Sequence, residues 1–202
     1  MNIRLEHHSD HRLVEQLVRE AFWNVYKPGC DEHLVIHNLR NDPSFVPELD
    51  YVVESEGRII AQIVYANGKL VGPDGDETPV LMFGPVAVDP AWQGQGIGSA
   101  LIEFTLAKAK EMGYPSVLIT GHPDYYKKFG FGPAKRHGIY LENIDPKEEA
   151  PFFMMKILDA EKAKSLKGVF HHPSCYQTDA AEVEAFDKDF PVKEKLVLPG
   201  QL

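Results

Sequence analysis

The sequence is short of cysteine, of basic charge and of long apolar runs. Only Cys30 and Cys175 occur in 202 residues, which excludes a disulfide framework and gives no hint of secretion. Lys and Arg number 21 against 30 Asp and Glu, a formal net charge of −9. That deficit argues against nucleic-acid binding through bulk electrostatics, which needs clustered cations to neutralise phosphates; its sign either mildly favours cationic substrates or simply keeps the protein in solution, the plainer reading. No stretch approaches the roughly 20 apolar residues that span a bilayer. The opening MNIRLEHHSD lacks the apolar core of a signal peptide. The expectation is a cytoplasmic protein with neither membrane nor nucleic acid as a partner.

The residues present are those of a globular chain, 44% hydrophobic and 25% charged, long enough for one domain with an appendage. Ile3 and Leu5 alternate with polar neighbours and predict a first strand over residues 1–6. Ser9 or Asp10 then caps a helix with a stripe of Leu13, Val14, Leu17, Val18, Ala21 and Phe22. A second helix is expected over 31–40. Two β-rich segments, 51–54 and 58–65, flank Glu56-Gly57 as a hairpin, and 67–76 looks like a turn-rich connection. The apolar run Val80–Val88 predicts a strand buried on both faces. A helix over 97–112 ending at Gly113 follows, then a strand over 116–120, a short helix over 123–129, closing strands over 134–141 and 152–158, and a final helix over 178–190. The order describes an α/β fold: a mixed sheet of about six to seven strands with helices on both faces.

The stretch from Gly84 to Phe131 carries the chemistry. Gly84-Pro85 interrupts a buried strand, and proline cannot donate to a ladder. A bulge there forces neighbouring strands apart and leaves main-chain groups of Val86, Ala87 and Val88 to pair with an extended ligand. Between that strand and the next helix stands Gln93-Gly94-Gln95-Gly96-Ile97-Gly98, followed by Ser99. Glycines let the backbone close on a bulky anion, and the helix N-terminus adds aligned N–H donors, so a pyrophosphate suits the turn. Gly98-Ser99 lacks the lysine of a P-loop. The next strand ends Thr120-Gly121-His122, without the acid of a dinucleotide fingerprint.

The run VDPAWQGQGIGSALIEFTLAKAKEMG resembles the acetyl-CoA motif of the GNAT superfamily of N-acetyltransferases, Q/R-x-x-G-x-G/A, matched by Gln93, Gly96 and Gly98. PDYYKKFGF is similar to that superfamily's distal motif, with Tyr126 four residues before Gly130-Phe131. The resemblance covers residues 1–158, taken as the acetyltransferase domain; residues 159–202 lie outside it as a C-terminal extension expected to pack on that domain. It implies a splayed GNAT-like sheet holding the pantetheine arm of acetyl-CoA along Val86–Val88, with the pyrophosphate at Gln93–Gly98. It also implies direct attack of a primary amine on the thioester, without an acyl-enzyme or a metal.

Those demands are physical. An amine of pKa near 10.4 is unprotonated in only about one molecule in 10³ at pH 7, a cost of roughly 4 kcal/mol unless the site takes the proton. The oxyanion needs a donor, such as a main-chain N–H near Val86 or Val88. Tyr126 is the candidate acid for the departing thiolate, uphill by about 2 kcal/mol before tuning; Tyr125 fits the spacing less well. Glu54 and His122 are the available bases, with a water-mediated route as the third option.

Histidines cluster at His7, His8 and His11 and, with Cys175, at His171 and His172, but neither group has structural-zinc spacing. Trp23 and Tyr26 close the first helix, where packing is the simpler role. A non-catalytic acyl-CoA-binding module remains the alternative function, which the retained Tyr126 disfavours. The acceptor, whether a small amine, a protein N-terminus or a lysine, is open, and a homodimer is the default oligomer.

Overall fold

The computed structural model describes residues 1–201. In chain order the elements are β1 (Asn2–Leu5), α1 (His11–Phe22), α2 (Glu32–Leu39), β2 (Tyr51–Ser55), β3 (Arg58–Val71), β4 (Glu77–Val88), α3 (Ile97–Glu111), β5 (Ser116–Thr120), α4 (Pro123–Tyr126), β6 (Gly132–Pro133), β7 (Ile139–Leu141), β8 (Phe153–Ile157), α5 (Ala160–Ala163), β9 (Gly168–His171) and α6 (Ala180–Asp187). The architecture is mixed α/β, with nine strands among the described residues against six to seven expected from the sequence. The surplus comes from the short β6 and β9, which have no hydrophobic pattern long enough to register. No helix among the described residues is long and apolar enough to cross a membrane.

The chain divides into two compact units: Met1–Val64, Pro85–Ile102 and Ser174 onward form the first, and Tyr65–Gly84 with Glu103–Pro173 the second. In the first unit β1 and β2 pair antiparallel from Asn2–Glu54 to Leu5–Tyr51, and β2 pairs antiparallel with β3. The expected hairpin forms with Glu56 (φ 53°) and Gly57 (φ 74°) as its two loop residues. Positive φ at both positions is the loop that matches strand twist. A bulge between Val53 and Glu54 shifts the register there. Helix α1 buries Val14, Leu17 and Val18 on one stripe, while Leu13, expected on that stripe, is exposed, and Ala21 and Phe22 are half-buried. Asp10 precedes this helix without capping it, because its carboxylate accepts instead from Arg4 (2.6 Å) and the His7 amide (2.8 Å).

The C-terminal segment is fastened onto α1 and α2 by polar groups and by the rings of Phe186 and Phe190, which pack against His33. Asp179 caps α6 by accepting from the Ala181 amide at 2.8 Å. Asp187 accepts from Arg19 Nε at 2.7 Å and stands 3.0 Å from His33 Nε2, and Thr178 donates to Asp31 at 2.7 Å. Trp23 Nε1 and Asn24 Nδ2 both donate to the Glu194 carbonyl, at 2.9 and 3.0 Å. Trp23 thus packs against Arg19 and the tail, and Tyr26 is partly exposed.

In the second unit β4 pairs parallel with β5, β5 pairs antiparallel with β8, and β6 adds to β8. The far half of β3 pairs with β9 over Lys69–His171 to Val71–Val169, and β9 pairs parallel with β7. The connection expected over 67–76 is therefore strand as far as Val71. Gly68 permits it, since a Cβ there would lie 2.2 Å from Phe170 Cζ. The strand expected over 134–141 is a 3₁₀ turn from Ala134 to His137, a left-handed Gly138 (φ 73°) and then β7.

Candidate active site

Within the first unit, the end of β4 leads into the glycine turn. The parallel pairing of β4 with β5, in the second unit, is confined to Leu81–Val117 and Met82–Leu118, and Gly84 follows with a φ of 139°. Pro85 spends its carbonyl on the buried side chain of Gln62, whose Nε2 donates at 3.0 Å. The Asp89 amide donates to the Ile60 carbonyl at 2.9 Å. Over Val86–Val88 the residues alternate half-buried and buried. The Val88 carbonyl accepts from Gln93 Nε2 at 3.0 Å, so the expectation of unpartnered main chain fails at that atom. Gln93 fixes the geometry of the turn by tying it to the strand that precedes it.

Asp89 caps a 3₁₀ turn over Pro90–Trp92, accepting from the Ala91 amide at 2.9 Å. Gly94 and Gly96 then take φ values of 75° and 82°, and a Cβ at either would meet no atom within 4 Å. Their glycine requirement is thus conformational, and the space above them is open. Helix α3 begins at the buried Ile97, and its first ladder bond runs from the Ala100 amide to the Gly96 carbonyl at 3.0 Å. The first turn of this 15-residue helix contains no acid. An α-helix N-terminus directs its leading amides outward along the axis, and here no first-turn carboxylate offsets the positive dipole end. Gln95, exposed, and Gly98 and Ser99, half-buried, complete the turn. A diphosphate matches this donor set.

Within the second unit, Pro123 opens α4, and a 3₁₀ turn over Lys127–Phe129 extends it to the left-handed Gly130 (φ 84°). The half-buried Tyr126 ring lies 6.0 Å from Phe83, 5.9 Å from Phe131 and 4.9 Å from Tyr125, centroid to centroid. Tyr125 is exposed and carries Lys128 Nζ 4.2 Å over its ring. Of the two tyrosines, Tyr126 is the one enclosed by aromatic side chains. His122 is exposed at the N-cap position of α4; its imidazole makes no cap bond, while its carbonyl accepts from the Tyr125 amide at 3.0 Å.

Glu54, in the first unit, lies beside the β2 bulge and accepts from Arg4 Nε at 2.8 Å. Arg4 also holds Asp10.

Sequence reasoning missed Gln62, the strand residue that satisfies the Pro85 carbonyl. It also missed Tyr65, whose hydroxyl shares a 2.9 Å hydrogen bond with Thr105 in the core and whose ionisation burial opposes. Both partners are distant in sequence, so no local pattern announces them. Among the described residues no group of three or more His, Cys, Asp and Glu is arranged to hold a metal. His171 and His172 are instead engaged by Glu142, which lies 2.9 Å from His171 Nδ1 and accepts from the His172 amide at 2.9 Å.

Comparison with known proteins gives the class. The profile of the acetyltransferase (GNAT) domain matches residues 48–133. The uncharacterized N-acetyltransferase YjhQ of Escherichia coli K12 is 30% identical over 128 residues, 63% of this chain and 70% of that protein. Among solved structures, the GNAT family N-acetyltransferase YhbS of E. coli, in complex with CoA, aligns with a TM-score of 0.74 at 24% identity, over 87% of this chain and 91% of its own. A GNAT family acetyltransferase from Brucella melitensis in complex with acetyl-CoA aligns at 0.67 and 24% identity, over 87% of this chain and 97% of its own. The chain belongs to the GNAT family of N-acetyltransferases and is an acyltransferase.

Proposed function

We propose that the protein transfers the acetyl group of acetyl-CoA to a primary amine by direct attack in a ternary complex. The observation that carries this is the Gln93–Ser99 turn, two left-handed glycines opening onto an acid-free helix N-terminus. Its amides take the pyrophosphate, and the Val86–Val88 segment takes the pantetheine arm. Solved relatives bound to CoA and acetyl-CoA support that choice of donor.

The cysteines favour direct attack over an acyl-enzyme. Both are buried, and burial raises the Cys30 thiol pKa far above its usual range and the Cys175 thiol to about 11. Neither supplies a thiolate nucleophile near neutrality. Tyr126 gives its proton to the departing CoA thiolate. With Glu54 held by Arg4, the acceptor amine loses its proton to His122, directly or through water.

The acceptor is a small amine, a protein N-terminus or a lysine side chain. The first unit carries 9 Lys and Arg against 18 Asp and Glu and the second 12 against 12, so the whole net charge of −9 lies in the first. That field favours cationic acceptors. We take residues 1–158 as the transferase domain and 159–202 as a C-terminal extension that adds β9 to its sheet, and place the protein in the cytoplasm, where its two free thiols stay reduced.

The test is CoA release measured over a panel of amines for the parent and Tyr126→Phe. Loss of a general acid predicts a drop of about 10²-fold in kcat with CoA affinity within threefold. Parental turnover in Tyr126→Phe ends the role of that tyrosine.

A further inference from the structure

We propose that Gly121 is a positioning residue for Tyr126, resting on the assignment of the Tyr126 hydroxyl as proton donor. Strand β5 ends at Thr120, paired with Phe153, and the next amide continues the ladder: Gly121 N–H donates to the Phe152 carbonyl at 2.8 Å. The backbone at Gly121 is thereby fixed. A Cβ built there would stand 2.6 Å from Tyr126 Cε2, 3.2 Å from Cδ2 and 3.5 Å from Cζ.

Two facts distinguish this from ordinary glycine usage. Gly121 is absent from the positive-φ residues, so its backbone conformation does not demand glycine. The three atoms nearest to such a Cβ all belong to the Tyr126 ring. The ring cannot yield freely either, because Phe83, Phe131, Tyr125 and Phe129 surround it at centroid distances of 6.0, 5.9, 4.9 and 6.3 Å. The missing side chain at 121 is the slot into which the ring edge fits, and its depth sets where the hydroxyl stands.

A methyl group at 121 needs about 1 Å of ring displacement to reach ordinary carbon–carbon contact. Misplacing a catalytic group by that much costs up to about 10²-fold. The effect reaches the chemistry through Tyr126 and not through the fold, so its energetic signature is non-additivity with removal of the hydroxyl.

The experiment measures kcat, CoA dissociation constant and melting temperature for the parent, Gly121→Ala, Tyr126→Phe and the double variant, with Gly132→Ala as control. A Cβ at Gly132 meets nothing within 4 Å. The expected result is a 10- to 100-fold loss of kcat in Gly121→Ala with CoA affinity within threefold, no loss in Gly132→Ala, and less than a twofold further loss when Gly121→Ala is added to Tyr126→Phe. The proposal is overturned if Gly121→Ala keeps parental kcat while Tyr126→Phe loses it, or if the two losses multiply. Parental kcat in Tyr126→Phe removes the acid assignment itself, a separate failure. Should Gly121→Ala not fold, Gly121→Ala with Phe83→Leu, which trims one of the rings packed around Tyr126, is expected to fold and recover at least fivefold more activity than Phe83→Leu with Gly121→Val; equal activity in those two overturns the proposal.

Discussion

Gly96→Asp separates the phosphate turn's structural role from its binding role. Gly96 has φ 82°, and a Cβ there meets no atom within 4 Å. The fold therefore loses only the left-handed strain of an L residue, about 1–2 kcal/mol, and aspartate is among the residues that tolerate it best. A new acid at the N-terminus of α3 recovers about 0.5 kcal/mol from the helix dipole. The net cost is about 1 kcal/mol, a fall of roughly 2–4 °C in Tm for a chain of this size. A carboxylate about 4 Å from a phosphate charge costs about 4 kcal/mol at an effective dielectric constant of 20, which corresponds to a loss of about 10³-fold in affinity. Calorimetric titration with CoA and thermal unfolding of the same sample read both quantities. Gly75→Asp is the matched control, since Gly75 has φ 85° and equal free space in the exposed turn before β4. A Gly96→Asp protein that melts near the parent and binds CoA within threefold of it would refute the phosphate turn.

Two further outcomes concern the scaffold. Asp187→Ala leaves the buried Arg19 without its carboxylate and removes the partner of His33 Nε2; urea unfolding should show a loss of about 3–5 kcal/mol, and a change below about 1 kcal/mol would contradict the role of that pair in fastening the C-terminal segment. Burial lowers the His33 pKa below its usual 6.5. The unfolded chain thus binds this proton more readily than the folded one, so the stability contribution is complete above about pH 6.5 and is lost as pH falls towards the folded pKa. His33→Gln should flatten the fall of the urea midpoint between pH 7 and 5.5, and an unchanged slope would assign that fall elsewhere.

Local chemistry was legible in the sequence and sequence-distant pairing was not. Glu56-Gly57 announced its hairpin, Pro123 its helix start, and the Gly94–Gly98 spacing its strand-to-helix turn, because each is fixed by the residue's own φ preference or missing donor. The extension of β3 to Val71 was hidden, since it depends on β9 arriving some hundred residues later and on Gly68 leaving room for Phe170. The same holds at the candidate site. Tyr126 stands out by its spacing to Gly130, while the Gln62 bond to Pro85, the hold of Arg4 on Glu54 and the fit of Gly121 against Tyr126 each join residues whose proximity is set only by tertiary folding or a specific turn geometry. Asp10 shows the reverse case: its position suits a helix cap, and a stronger partner in Arg4 takes the carboxylate instead.

Acetyl-CoA binding to the purified chain is the most direct test, measured by titration calorimetry with free CoA and a nicotinamide dinucleotide as comparators. One equivalent bound with a Kd on the order of micromolar, competed by CoA and not by the dinucleotide, is the predicted result. A folded sample that gives no heat with acetyl-CoA would contradict the account at its base, because the Gln93–Ser99 turn would then be a strand-to-helix connection and nothing more.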